Sequence, residues 1–381
     1  MKKLIVIYFA LSGAVAHLFV AGLILFSPGL VIKAQEKLSE RLAPHAPLSL
    51  SRAAAAPSAS WAQARVGLQR WQADSDTAGL ADHTFRIDGD VVITLDEALR
   101  RAKDGSLLEI GPGRYSTPMV IRVNGLRVVG RGEVIFDGAV AEGKASLVIK
   151  GNDTRVSNIE CRNVAVNDRN GACVRLEGQN LTLEHVYFHD AEQGMLTGSK
   201  PGEVTIRNSY FERLGRGGRA HAIYQGGGML TIERSYILGA KDQAHEVKSR
   251  AQRTTIRNSV IASLTSDDSR LIDISNGGEL AVYDSTLQQG PQSANTDMIG
   301  FALESPLHPT HRVTLQRNLI ILERNGGNTL LHSKAAGLVP DISDNIIVAP
   351  AGSGFADSNL EYRDREDAKL PRYPLVPDRP V

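Results

Sequence analysis

A short strand signature that returns about once every twenty-six residues constrains this chain more than any other feature. Its clearest copies are VTIRNSYF from Val204, LTIERSYI from Leu230 and TTIRNSVI from Thr254, joined by LTLEHVYF from Leu181 and LAVYDSTL from Leu280. Equivalent apolar residues fall at Val128, Val156, Leu183, Ile206, Ile232, Ile256, Val282, Leu315 and Ile342, with spacings of 28, 27, 23, 26, 24, 26, 33 and 27 residues. A period of this length, made of short alternating strands and turn residues, means a solenoid in which each repeat buries its apolar face on the next. A second strand set runs in step with the first, at Cys173–Glu177, His221–Gln225, His245–Ser249 and Arg270–Ile274. Each turn of chain then carries at least two strands, and parallel stacking at about 4.8 Å makes nine coils a rod of roughly 40 Å. Asn158, Asn208 and Asn258 share one repeat position, where an amide ladder is expected to satisfy a bend.

With this repeat stand two further segments: Thr94 to Ala102 (TLDEALRRA), then Pro112-Gly113-Arg114-Tyr115. Together they resemble the right-handed parallel β-helix proteins of the pectate lyase-like superfamily. The resemblance implies an all-β fold, a right-handed parallel β-helix of about nine coils over residues 86–350, begun by a short capping helix and a PG-x-Y turn. The local chemistry agrees, because Thr94 can cap a helix whose Leu95, Ala98, Leu99 and Ala102 form one apolar face, and an open solenoid end needs cover.

Outside the repeat, Lys2 and Lys3 precede an uncharged apolar run from Leu4 to Phe26. As a helix this run spans roughly 34 Å, enough for a bilayer. Residues 1–32 therefore read as a transmembrane signal anchor, single-pass in an inner membrane, with lysines inside and the repeat domain in the periplasm. A cleavable signal peptide is the rival, since Ala14-Val15-Ala16 has the small-x-small form. Residues 33–85 read as a stalk or linker and 351–381 as an extended tail that lies along the rod or stays disordered. Trp61 and Trp71 are expected to pack on the solenoid cap or the membrane surface. The two cysteines, Cys161 and Cys173, fit either a disulfide or two buried thiols. A net charge of +1 recruits no nucleic acid.

Strict alternation within His245–Arg250 turns Val247 inward and Glu246, Lys248 and Arg250 outward. Stacking then builds an outward column of Arg175, Thr197, Tyr224, Lys248 and Asp273, with His221 and His245 at matching positions that the same alternation turns inward. Between Arg213 and Arg253 the chain has eight Lys or Arg against three Asp or Glu. That local excess suits an extended anionic polymer such as a uronate-containing polysaccharide. Tyr224, Lys248, Arg250, His245 and His221 are the candidate catalytic residues; Arg175, Glu246, Arg270, Asp273 and Asn276 are the candidate substrate-binding ones. The bland alternative is a ladder of surface ion pairs that only keeps the rod soluble.

Active members of the superfamily mostly cleave or epimerise acidic polysaccharides, so the resemblance implies lyase or C5-epimerase chemistry. Removing a proton beside a uronate carboxylate requires that carboxylate to be neutralised, here by Lys248 and Arg250, with Tyr224 or a histidine moving the proton. No cofactor is expected; Asp267, Asp268 and Asp273 are a weak substitute for the clustered aspartates of calcium-dependent pectate lyases. The GYxE segment of pectin methylesterases is absent. The second reading is a non-catalytic polysaccharide-binding or scaffold protein that works with the assembly proteins of an exopolysaccharide machine. The 33-residue step between Val282 and Leu315 predicts a loop able to wall one side of a groove.

Overall fold

A computed structural model describes residues 67–378. The apolar run Leu4–Phe26 and Trp61 lie outside the described residues. Among the described residues no helix is long and apolar enough to cross a membrane.

The repeat seen in the sequence is the register of one parallel sheet. Val128 pairs with Val156, Val156 with Leu183, and the series continues through Ile206, Ile232, Ile256, Val282 and Leu315 to Ile342, each residue opposite the next. All nine are buried. Among the described residues nine coils carry three strands each, one more than the two sets legible in the sequence, and the coil after them has only the first two strands. Sheet A holds the first set, sheet C the second, and sheet B lies between them along the chain. Sheet B also points one column inward, Phe136, Cys161, Phe188, Phe211, Ile237, Ile261, Leu287 and Ile320. Three inward columns meet in one continuous apolar core, and burying each such side chain stabilises the fold by roughly 1.5–3 kcal/mol. Cys161 and Cys173 are joined in a disulfide that ties sheet B to sheet C within one coil.

The corners differ in chemistry. Sheet A passes to sheet B through a tight turn whose first residue is left-handed, as at Asn158, Asn208, Arg234, Asn258 and Asp284. The three asparagines therefore serve as turn residues, which tolerate positive φ; Asn158 Nδ2 also donates to the Gly130 and Gly132 carbonyls of the coil before at 2.9 and 3.0 Å, as expected, but no amide ladder joins the three. The ladder stands one residue later. The backbone N–H of Ser209 donates to Ser235 Oγ at 3.1 Å, that of Ser235 to Ser259 Oγ at 3.2 Å, and that of Ser259 to Ser285 Oγ at 3.1 Å. Ser285 passes the ladder to Asn318 at 3.0 Å, and Asn318 to Asn345 at 2.9 Å. At the corner from sheet C to sheet A the chain packs backbone on backbone, and a Cβ on Gly178 would sit 2.1 Å from the carbonyl oxygen of Gly151.

At the N-terminal end Leu95–Arg101 forms a helix; the Thr94 side chain accepts the Glu97 N–H, and Leu95 and Ala98 are buried in the core. Residues 67–84, read in the sequence as linker, lie against the rod. Leu68 packs on Val376 and on the outer face of sheet B, and Trp71 stacks beside His185 and Tyr187 on the rod's flank rather than over its end. The tail adds a strand, Leu360–Tyr362, to sheet B and is pinned by Arg365, which donates to Glu323 Oε2 at 2.7 Å.

Candidate functional site

The outer face of sheet C gathers most of the residues singled out from the sequence. Its outward column runs Val148, Arg175, Leu196, Tyr224, Lys248, Asp273, Gly300, His332. Thr197 was expected in this column; Leu196 takes its place, and Thr197 instead hydrogen-bonds the corner backbone at Gly226 and Gly198. Leu196 separates Arg175 from the rest and joins Val148 and the Tyr224 ring in an apolar patch, so Arg175 lies outside the polar cluster.

Alternation fails by one residue where the chain enters sheet C. Cys173, Ala222, Leu271 and Met298 all point into the core, immediately before the inward residues Val174, Ile223, Ile272 and Ile299. Two inward residues in succession mark a bend, and the bend reverses two expectations. His221 and His245 lie outside the apolar core and stack on each other beside Tyr224 and Asp273 on the sheet C face, although both remain buried. Glu246, expected in the groove, is fully buried at the corner, with Oε1 accepting the Ala240 N–H at 3.1 Å. Glu246 adjoins Asp268, whose carboxylate accepts from Ser263 Oγ at 2.7 Å and from Ser293 Oγ. Burial pushes Glu246 well above the usual carboxylate range and Asp268 up to about 7. Two carboxyls side by side in a dry corner cannot both ionise, so the pair keeps a proton.

Outside the corner lies a continuous ionic network. Lys248 Nζ is 3.4 Å from Asp273 Oδ2 and 2.7 Å from Glu304 Oε1. The second Glu304 oxygen meets the Arg250 guanidinium, which also donates to Tyr224 Oη at 2.9 Å and to Asn276 Oδ1 at 2.9 Å. Asp273 further accepts from His245 Nε2 at 3.1 Å and lies 3.6 Å from Arg270, which reaches Asp297 at 3.1 Å. Burial alone would raise Asp273; the His245 hydrogen bond and the cations Lys248 and Arg270 outweigh it and hold the carboxyl far below its usual range. Lys248 is only 8% exposed. Two clefts, of about 280 and 580 Å³, lie away from this face, one beside Trp71 and one under the tail.

The histidine partners fix the ring protons. His221 Nδ1 accepts the His245 N–H at 3.1 Å and His245 Nδ1 accepts the Arg270 N–H at 3.1 Å, while the two rings stack at 4.7 Å. A nitrogen that accepts carries no proton, so both rings hold theirs on Nε2 and neither offers a lone pair there. Burial first, then His245 and Lys248, push His221 well below its ordinary value, so it is neutral at pH 7. His332 is the reverse case. Its Nδ1 lies 2.8 Å from Asp297 Oδ2, which can only accept, so Nδ1 carries a proton. The sequence reading missed His332, because it lies beyond the coils with excess basic charge. Three rungs of about 4.8 Å put it roughly 14 Å from Lys248.

Asp267, Asp268 and Asp273, the weak calcium candidates, do not converge: Asp267 caps the Asp242 N–H at 3.1 Å, Asp268 binds serines and Asp273 binds cations. Among the described residues no three His, Cys, Asp or Glu side chains are placed to hold a metal ion.

Residues 145–297 match the family described as right handed beta helix region. With three parallel sheets in register along the rod, the fold is a right-handed parallel β-helix of about nine coils. Solved structures similar to the chain include two polysaccharide lyases. Pectate lyase Pel9A shares 13% identity, over 65% of this chain and 74% of its own, with a TM-score of 0.46. A mutant of the PL6 family alginate lyase AlyGC shares 12% identity, over 70% of this chain and 52% of its own, with a TM-score of 0.33. The chain thus spans about half of the alginate lyase. No curated protein matches it.

Proposed function

We propose that the outer face of sheet C binds a uronate-containing polysaccharide and that the protein acts on it by lyase or C5-epimerase chemistry. The observation that carries this reading is the pair Lys248 and Arg250, which hold both oxygens of one carboxylate with Tyr224 Oη directly on the guanidinium. Two cations on one carboxylate are the arrangement that makes the adjacent C–H acidic, because the charge developing on the carboxylate during proton removal is already met. Tyr224 is the proton-moving group within reach of that carboxylate. His221 and His245 have no lone pair to offer, and they act by holding the backbone and Asp273 in place.

Replacing Lys248 or Arg250 by Ala is expected to weaken binding of oligogalacturonate or oligomannuronate by roughly tenfold or more, with the loss shrinking as salt is added. Tyr224→Phe is expected to keep binding and abolish both unsaturated product and C5 proton exchange. Binding that survives all three substitutions unchanged sinks the assignment.

The near burial of Lys248 and its pairs to Asp273 and Glu304 favour the bland alternative, a structural ion-pair ladder with no binding role, which unchanged binding in Lys248→Ala and Arg250→Ala would select. The second reading is a non-catalytic polysaccharide-binding or scaffold role beside exopolysaccharide assembly proteins. Normal binding with no turnover by the parent protein selects it.

The compartment is part of the proposal. The lysines before Leu4–Phe26 support an inner-membrane anchor with the β-helix in the periplasm, and the Cys161–Cys173 disulfide supports an oxidising compartment. A reporter enzyme active only after export, fused after Val381, is expected to be active; a fusion active only with a cytoplasmic reporter contradicts the topology.

A further inference from the structure

We infer that Glu304 is a built-in occupant of the carboxylate subsite, so that the segment carrying it gates the face; this rests on the reading of Lys248 and Arg250 as carboxylate receptors. Glu304 comes from the excursion between the sheet C strand Asp297–Phe301 and the sheet A strand Arg312–Gln316, the extra chain of the 33-residue step. The excursion folds back over two earlier coils. Its carboxylate places one oxygen 2.7 Å from Lys248 Nζ and the other on Arg250, residues 56 and 54 positions away in sequence.

A uronate on this face would present the same group to the same two cations, so polymer and Glu304 compete for one position. Burial would raise the Glu304 carboxyl, but the Lys248 and Arg250 hydrogen bonds outweigh it and hold it ionised. Backbone hydrogen bonds tie the excursion to the turn at Ser275 and Asn276, from the Glu304 N–H to the Ser275 carbonyl at 2.8 Å and from the His308 N–H to the Asn276 carbonyl at 3.0 Å, while the Glu304 side chain itself is held only by Lys248 and Arg250. Asn276 Nδ2 donates to the Pro306 carbonyl at 2.6 Å and to that of Glu304 at 3.3 Å, and the Arg250 carbonyl meets His308 Nε2 at 3.1 Å. Beyond these, Leu307 is exposed and the segment adds nothing large to the core. Glu304 itself remains 41% exposed on its side chain, so an incoming carboxylate can displace it from the solvent side. A closed state of this kind lowers apparent affinity by the fraction of molecules that are open.

The test is the affinity of the full chain, parent and variants, for fluorescent hexagalacturonate and hexamannuronate. Glu304→Ala and the isosteric Glu304→Gln are both expected to bind one of these probes about tenfold more tightly than the parent. Adding Lys248→Ala to either variant is expected to remove the gain. Glu304→Gln keeps the side-chain volume, so it decides the matter if Glu304→Ala is poorly folded. If the parent binds and the variants bind equally or more weakly, Glu304 is not the occupant, while the binding reading stands. If neither parent nor variants bind any uronate probe, the reading of the face is wrong and the inference falls with it.

Discussion

Ile256→Asp is expected to abolish folding. Ile256 is fully buried in the middle of sheet A, with Ile232 on the coil before and Val282 on the coil after. The substitution removes an apolar side chain and places a carboxylate in a column with no polar partner, at a combined cost on the order of 5 kcal/mol or more. Domains of this kind have roughly 5–15 kcal/mol to lose, and each coil depends on its neighbours for cover. Gly217→Asp is the control. Gly217 has a φ of 56°, which Asp tolerates better than most residues, and nothing lies within 4 Å of an added Cβ. Circular dichroism and thermal melting are expected to show a folded Gly217→Asp protein and an unfolded or insoluble Ile256→Asp protein. Equal melting of Ile256→Asp and the parent contradicts the register.

Asp268 is expected to contribute stability that is lost as pH rises from about 4 to about 7, against an opposite contribution from the buried neutral His221, and Asp268→Asn is expected to remove much of the falling part, read as the parent-minus-variant difference at each pH. The folded Asp268 carboxyl is pushed up to about 7 by burial, whereas the ordinary value is 3.8. Between these values the folded state keeps a proton that the unfolded chain has released. The stabilisation is therefore complete below the ordinary value and is lost as pH rises through the folded one, by at most about 1.4 kcal/mol per pH unit for one proton. Glu246 acts in the same direction. The lowered carboxyls Asp190 and Asp273 act in another window, since their contribution is present at neutral pH and lost only on acidification below the ordinary carboxylate range. Thermal midpoints at about pH 5 and about pH 7 separate the two groups. A drop that is as large in Asp268→Asn as in the parent contradicts the shared buried proton.

How far the sequence went follows from the physics of each element. Sheet A was legible to the residue because its inward positions are aliphatic in every coil, and a one-residue slip would turn all of them outward. The Tyr224, Lys248, Asp273 column followed from the same period. Sheet B escaped because its three-residue strands follow sheet A after a two-residue turn, so the two read as one hydrophobic signature. The exchange of Glu246 for His245 came from the corner, where alternation yields to a bend that no local residue type announces. The serine ladder was hidden because Asn208 and Ser209 are equally good turn residues, and the conspicuous one supplies the conformation while its neighbour supplies the hydrogen bonds. Glu304 was visible only as part of an overlong step; which coil it reaches depends on how the excursion folds back.

The most direct test of the account is a hydrogen-exchange footprint of the protein with and without a bound uronate hexamer. Slowed exchange is expected in the sheet C strands Ile223–Gln225, Val247–Ser249 and Ile272–Ile274, with faster exchange in residues 303–309 as Glu304 is displaced. Protection confined to sheet A or to the flank beside Trp71, with sheet C and residues 303–309 unchanged, would place the polymer elsewhere and contradict it.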